Sequence, residues 1–213
     1  MNTTSVDYSL YLVTDRNLSR GRSTAMIVSE AVAGGVTCVQ LREKGCSTRE
    51  FIGEALALKK ILCQAGIPLI INDRVDVALA MGASGVHLGQ SDMPIEDARR
   101  LLPPGALIGI SAESLEDAVI AEKKGADYIG ISPVFATPTK TDTAPPLGLE
   151  GIRCIRKAVN IPIIGIGGIN LSNGKEVISA GANGLAVVSA IVSAGDPQKA
   201  ARAIKKAAFP GSL

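Results

Sequence analysis

One short polar run holds more reactive side chains than a simple connection needs. Residues 135–142 read FATPTKTD, in which three Thr, Pro138 and a lone Lys140 follow Phe135. Little beyond Phe135 can pack a core, so Thr137, Pro138, Thr139 and Lys140 are candidates for gripping a ligand. An exposed polar loop is the plain alternative. A second group is Gln40-Leu-Arg-Glu-Lys44. In an extended segment alternate side chains share a side, which puts Gln40, Arg42 and Lys44 together. Two cations and an amide make a clamp for an anion; a solvated loop paired to Glu43 would use the same residues. Asp73, in Asn72-Asp73-Arg74, and Asp92 supply carboxylates. These either cap helices or hold Mg2+ together with phosphate oxygens. His87, the only histidine, lies inside an apolar run, where a satisfied core or packing histidine is the ordinary case. With no Cys–His pairing in view, nucleophilic hydrolysis has little support.

Composition narrows the partners. The chain has 213 residues, 46% of them hydrophobic, only 3% aromatic, and a net charge of +2. The core must therefore be Ile, Val, Leu and Ala. So small a charge, scattered and without stacking platforms, argues against nucleic acid. Cys38, Cys46, Cys63 and Cys154 have no metal-ligand spacing; Cys38 and Cys63 are expected to be buried free thiols. No basic-then-apolar leader and no run near the roughly 20 apolar residues of a membrane span is visible. The expectation is a cytoplasmic protein that does not engage membranes.

The elements that must position these groups follow a strict rhythm. Apolar runs at 10–13, 38–41, 68–71, 85–88, 106–109, 127–131, 162–165 and 184–188 suit strands buried on both faces. Amphipathic segments lie between them. Ser47-Thr-Arg-Glu50 reads as a capped start before Phe51, Ala55, Leu58 and Leu62 on one stripe. Helices are likewise predicted over 114–124, 171–180 and 196–209. Gly35, Gly66, Gly82, Gly125 and Gly181 each stand shortly before a strand, as αβ turns require. Eight βα units predict one α/β domain over residues 1–213, a closed (β/α)8 TIM barrel. An open doubly wound sheet would call for a Gly-rich turn after the first strand, and Thr14-Asp-Arg-Asn17 is not one.

In such a barrel the chemistry sits where strands end. Asp73 and Asp92 follow neighbouring strands and could converge on one Mg2+. Ser111 ends the fifth strand. Gly167-Gly168 after the seventh and Val188-Ser189 after the eighth stand where barrels often hold phosphate. One site is cationic and the other is built from backbone, so two phosphorylated substrates suit them better than one.

In this order, Gln40-Leu-Arg-Glu-Lys44, Asn72-Asp73, His87-Leu-Gly-Gln-Ser-Asp92, Gly109-Ile-Ser111, Thr137-Pro-Thr-Lys-Thr-Asp142, Gly165-Ile-Gly-Gly-Ile169 and Val188-Ser189 resemble the thiamine-phosphate synthase (thiamine-phosphate pyrophosphorylase) family. The likeness runs from about Leu10 to Ser193. It implies coupling of a hydroxymethylpyrimidine diphosphate to a thiazole phosphate, with loss of pyrophosphate and Mg2+ as cofactor. Carried over by position, Gln40, Arg42, Lys44, Asn72, Ser111 and Lys140 would contact the pyrimidine diphosphate, with Lys140, Arg42 and Ser111 as catalytic groups. Asp73 and Asp92 would bind the metal. Thr137, Thr139, Gly168, Val188 and Ser189 would hold the thiazole phosphate, and Pro138 would be a further substrate-binding residue. Glu113 and Ser114 stand where relatives often have His and Thr, and Ser132 stands where Gly is common. A thiazole tautomerase of the related barrel family is the alternative; it would leave Arg42, Lys140 and the Asp pair without a task. Barrels of this kind often associate, so a homo-oligomer is an expectation beside the small phosphorylated substrates.

Overall fold

The computed structural model describes residues 6–137 and 145–211. Its strands are β1 (Leu10–Val13), β2 (Cys38–Leu41), β3 (Leu69–Asn72), β4 (Gly85–Leu88), β5 (Leu107–Ala112), β6 (Tyr128–Ile131), β7 (Ile163–Ile166) and β8 (Gly184–Val187). They form a closed parallel barrel in chain order, the (β/α)8 arrangement that the alternating pattern predicts. Closure is made by β1 against β8, with Leu12 opposite Val187. The returning helices are α1 (Thr24–Ala33), α2 (Thr48–Ala65), α3 (Val75–Met81), α4 (Ile95–Leu101), α5 (Leu115–Lys123), α6 (Gly148–Ala158) and α7 (Gly174–Ser179). After β8 come α8 (Ser189–Val192) and α9 (Pro197–Ala208), and a 3-10 turn (Arg16–Leu18) follows β1. No described helix is long and apolar enough to cross a membrane.

Helix α2 shows how local sequence sets an element. Ser47 and Glu50 cap its start reciprocally, which satisfies donors that the first turn leaves open. Phe51, Ala55, Leu58 and Leu62 are its buried stripe, and Gly66 ends it at φ 67°. Helix α7 departs from expectation. The predicted 171–180 segment begins only at Gly174, because the Asn170 carboxamide accepts from the Ser172 N–H and hydroxyl. That local turn competes with helix. Strand β5 in turn extends beyond its apolar run to Ala112, paired with Ile131. Cys38 is buried as expected, but Cys63 is exposed: it falls one residue off the apolar stripe, beside Leu62.

Two apolar layers result. One lies between strands and helices and includes Leu12, Val39, Leu62 and Ile129. The other fills the barrel with Tyr8, Tyr11, Val13, Cys38, Ile70, Tyr128, Ile164 and Ala186. Two strand glycines make room inside. A Cβ on Gly109 would lie 2.0 Å from Tyr128 Cζ, and one on Gly130 would lie 3.1 Å from His87 Cε1. Gly109 leaves room for a ring from the adjacent strand β6, and Gly130 for one from β4, two strands away.

Substitutions at two glycines should therefore have opposite signs. Gly109→Ala overpacks the barrel and should cost about 1–3 kcal/mol in denaturant unfolding. Gly53→Ala, within α2 and with nothing within 4 Å of the new Cβ, should stabilise by about 0.5–1 kcal/mol. Equal responses would contradict the packing argument.

Candidate active site

A cavity of about 380 Å³ opens at the C-terminal ends of the strands, and every candidate residue within the described chain lines it. From β2 and its loop come Gln40, Arg42 and Lys44; from β3 and β4 come Asn72, Asp73 and Asp92. Ser111 ends β5, Thr137 follows β6, and Gly168, Val188 and Ser189 come from β7 and β8. Pro138, Thr139 and Lys140 lie outside the described residues.

The cationic side is wired to carboxylates. Arg42 Nη1 stands 3.4 Å from Asp15 Oδ2, and Lys44 Nζ stands 2.5 Å from Asp73 Oδ2. Backbone bonds hold the strand end: the Arg42 N–H donates to Thr14 Oγ1 at 3.0 Å, and the Thr14 N–H donates to the Gln40 carbonyl at 3.0 Å. Asp73 has φ 61°, an uncommon conformation for a residue with a side chain. Its N–H is tied to the His87 carbonyl at 2.8 Å, which links β3 to β4. Asp92 Oδ2 accepts from the Gly89 N–H at 2.6 Å. Burial, and after it the adjoining Asp73 carboxylate, hold the Asp92 carboxyl above its ordinary range. Two carboxylates in contact repel when both are charged, so this pair could hold a divalent cation.

The opposite side is built from backbone. Gly167 and Gly168 have φ 98° and 66°, and a Cβ on Gly168 would meet Phe135 Cβ at 2.8 Å and the Ala136 carbonyl at 2.9 Å. The Phe135 N–H donates to the Gly167 carbonyl at 3.1 Å, so the β6 loop runs along the β7 turn and leads Thr137 to the cavity. Asn170 and Asn173 both donate to the Gly168 carbonyl, at 3.2 and 2.9 Å.

Two features bear on the sequence reading. Glu43 is not the counter-ion of Arg42 and Lys44. Its side chain is only 4% exposed and points to Arg16, 3.3 Å away, which also meets Glu54 at 2.8 Å. The alternation that sends Arg42 and Lys44 inward sends Glu43 the other way. His87 is the satisfied core histidine that its place in the strand predicts. Its Nδ1 lies 3.1 Å from the Tyr128 hydroxyl and its Nε2 lies 3.0 Å from Ser111 Oγ. Sequence reasoning passed over Tyr11 and Tyr128; the usable signal was a phenol at an inward strand position, whose buried hydroxyl demands a partner.

A closed βα barrel whose mouth joins an Arg–Lys clamp, a carboxylate pair and a glycine turn is of the phosphate-handling enzyme class. Residues 10–191 match the family model described as thiamine monophosphate synthase. The chain is 59% identical over 197 residues to a thiamine-phosphate synthase of Albidiferax ferrireducens, covering 92% of this chain and 90% of the relative. It is 55% identical over 200 residues to that of Chloroflexus aurantiacus, covering 94% and 92%. A solved thiamine phosphate pyrophosphorylase from Pyrococcus furiosus superposes with a TM-score of 0.88 at 43% identity, covering 95% of this chain and 96% of that one. The chain belongs to the thiamine monophosphate synthase family.

The buried Glu43 makes a pH prediction. Burial, then the neighbouring Glu54, raise its carboxyl from 4.5 to about 7. Glu43 Oε1 and Glu54 Oε2 otherwise have no hydrogen-bond partner, and one shared proton would serve both. The unfolded chain releases that proton near 4.5 and the folded chain near 7, so stability contributed at low pH is lost as pH rises through this window. Glu43→Gln should flatten the dependence of Tm between pH 5 and 8. At pH 8 it should be more stable than the parent by on the order of 1–3 kcal/mol. An unchanged slope would show that the pair holds no proton.

Proposed function

We propose that this enzyme joins 4-amino-2-methyl-5-(diphosphooxymethyl)pyrimidine to 4-methyl-5-(2-phosphooxyethyl)thiazole, or its 2-carboxy form, giving thiamine phosphate and pyrophosphate, with CO2 also released from the carboxylated substrate. One observation supports this above the rest: the cavity gathers a cationic clamp, a carboxylate pair and a glycine turn on a single rim. The diphosphate would lie against Arg42 and Lys44, with Asn72 and Gln40 at the pyrimidine end and Ser111 donating a hydrogen bond. Binding there would draw Arg42 from Asp15 and Lys44 from Asp73, exchanging partly exposed ion pairs for charge-assisted bonds to phosphate. The thiazole phosphate would take the Gly168, Val188 and Ser189 side, with Thr137 and Thr139 beside it.

Asp73 and Asp92 fit a Mg2+ ion. Their contact calls for a positive charge, and among the described residues no cluster of three or more acidic, His or Cys side chains forms a closed cage. The remaining ligands would be diphosphate oxygens and water, the usual Mg2+ arrangement. When bound, the ion supplies charge stabilisation to the departing diphosphate. The chain's own groups do the rest. They would align the thiazole nitrogen with the methylene carbon, keep water away from it, and set Arg42 and Ser111 where negative charge grows, a role that the proposal also gives to Lys140. The amino group of the pyrimidine feeds electrons to the methylene carbon as the C–O bond breaks, and the thiazole nitrogen then bonds to that carbon. No protein nucleophile is needed.

The test supplies both substrates with Mg2+ and measures pyrophosphate and coupled product. Asp92→Asn and Lys140→Ala should each lower kcat by roughly 10²-fold or more with folding intact, and excess chelator should stop the reaction. Robust turnover in chelator would remove the metal role. No product from the parent enzyme would defeat the reading as a whole.

A further inference from the structure

A chain of hydrogen bonds runs across the floor of the cavity. Gln40 Nε2 lies 3.1 Å from the Tyr11 hydroxyl. The Tyr11 and Tyr128 hydroxyls are 2.9 Å apart. Tyr128 reaches His87 Nδ1 at 3.1 Å, and His87 Nε2 reaches Ser111 Oγ at 3.0 Å. Gln40 and both Tyr side chains are buried, so each polar atom there needs its partner.

One end of this chain has a fixed direction. An amide nitrogen only donates, so the Tyr11 oxygen accepts from Gln40. Continued in the same sense, Tyr11 donates to the Tyr128 oxygen and Tyr128 donates to His87 Nδ1. A neutral imidazole that accepts at Nδ1 carries its proton on Nε2, and that proton is given to Ser111 Oγ. Ser111 is left with a proton to donate, and it lines the cavity. Burial drives both phenols well above their usual range, so neither loses the proton that the sequence of bonds needs.

We infer that Tyr11, Tyr128 and His87 are positioning residues: they form a one-way hydrogen-bond wire that fixes His87 as the Nε2–H tautomer and aims the Ser111 proton at the anionic leaving group. The opposite polarity would turn Ser111 lone pairs toward that anion and repel it. Space for the wire is built into the barrel, since Gly109 and Gly130 admit the Tyr128 and His87 rings and would admit little more. Hydrogen bonds in series polarise one another, so charge gathering on the diphosphate is met by dipoles already aligned. No proton need leave His87. The use of the Ser111 proton rests on the coupling reaction proposed above; the polarity of the wire does not.

His87 is the only histidine, so one residue reports when the full chain is labelled with 15N-histidine. Nitrogen–proton correlation at pH 8, without substrate, should find Nε2 protonated and Nδ1 bare. An Nδ1–H signature would overturn the proposal. Tyr128→Phe should admit the second tautomer and lower kcat about tenfold, the scale of one hydrogen bond, with KM for the pyrimidine diphosphate nearly unchanged. Tyr11→Phe keeps the Tyr128–His87 bond and should retain the Nε2–H tautomer with a smaller loss of kcat. Undiminished kcat in folded Tyr128→Phe, or a larger loss in Tyr11→Phe, would sink the role. Because the tautomer is read without turnover, failure of the coupling assay would be a separate result.

Discussion

Strands of four residues cannot make a stable open sheet with both faces buried; each edge would leave backbone groups unpaired. The pairing of β1 with β8 removes both edges at once. Everything chemical follows from that closure. Parallel strands in a ring must all end on one rim, so residues separated by more than a hundred positions, such as Arg42 and Ser189, line the same cavity. Order around the ring also sets β3 and β4 across from β7 and β8. The carboxylate pair thus faces the glycine turn over the width of the barrel.

The rim is charged yet nearly neutral within itself. Arg42 is matched by Asp15 and Lys44 by Asp73, with Asp92 beside it. Such pairs are partly exposed, and each holds its partner by a small margin. That is useful in a site that must take up a strongly anionic substrate and then release pyrophosphate. A bare cationic pocket would keep the product. In the proposed reading the carboxylates would return to the cations as the anion leaves.

The sequence announces the barrel because its signals are local. Four-residue apolar runs, a capping box at Ser47–Glu50 and glycines before strands each act within a few residues. The rim candidates were legible for the same reason, since strand ends can be counted. What escaped depends on through-space partners. Alternation says that Glu43 points away from Arg42, but only the fold shows Arg16 and Glu54 waiting there. Tyr11 and Tyr128 are 117 positions apart and meet across the barrel; nothing near either residue marks the contact. The late start of α7 is a further case, since Asn170 reaches both Ser172 and the Gly168 carbonyl.

The interior of the barrel then has to be understood as a compromise. A floor of Ile and Val would pack as well and leave no polar atom to satisfy. Instead Tyr11, Gln40, His87, Ser111 and Tyr128 occupy it, at the cost of glycines at Gly109 and Gly130 that weaken their strands. A substitution reaction without a protein nucleophile explains why that cost is tolerated. Its barrier lies in charge separation, and groups fixed before the substrate arrives need no reorganisation when the charge appears. Rigid aromatic rings locked between strands can hold a hydroxyl in place where a loop residue would not. In the proposed reading the polar floor and the rim therefore divide the work: the rim would bind and release by exchanging partners, while the floor stays as folded.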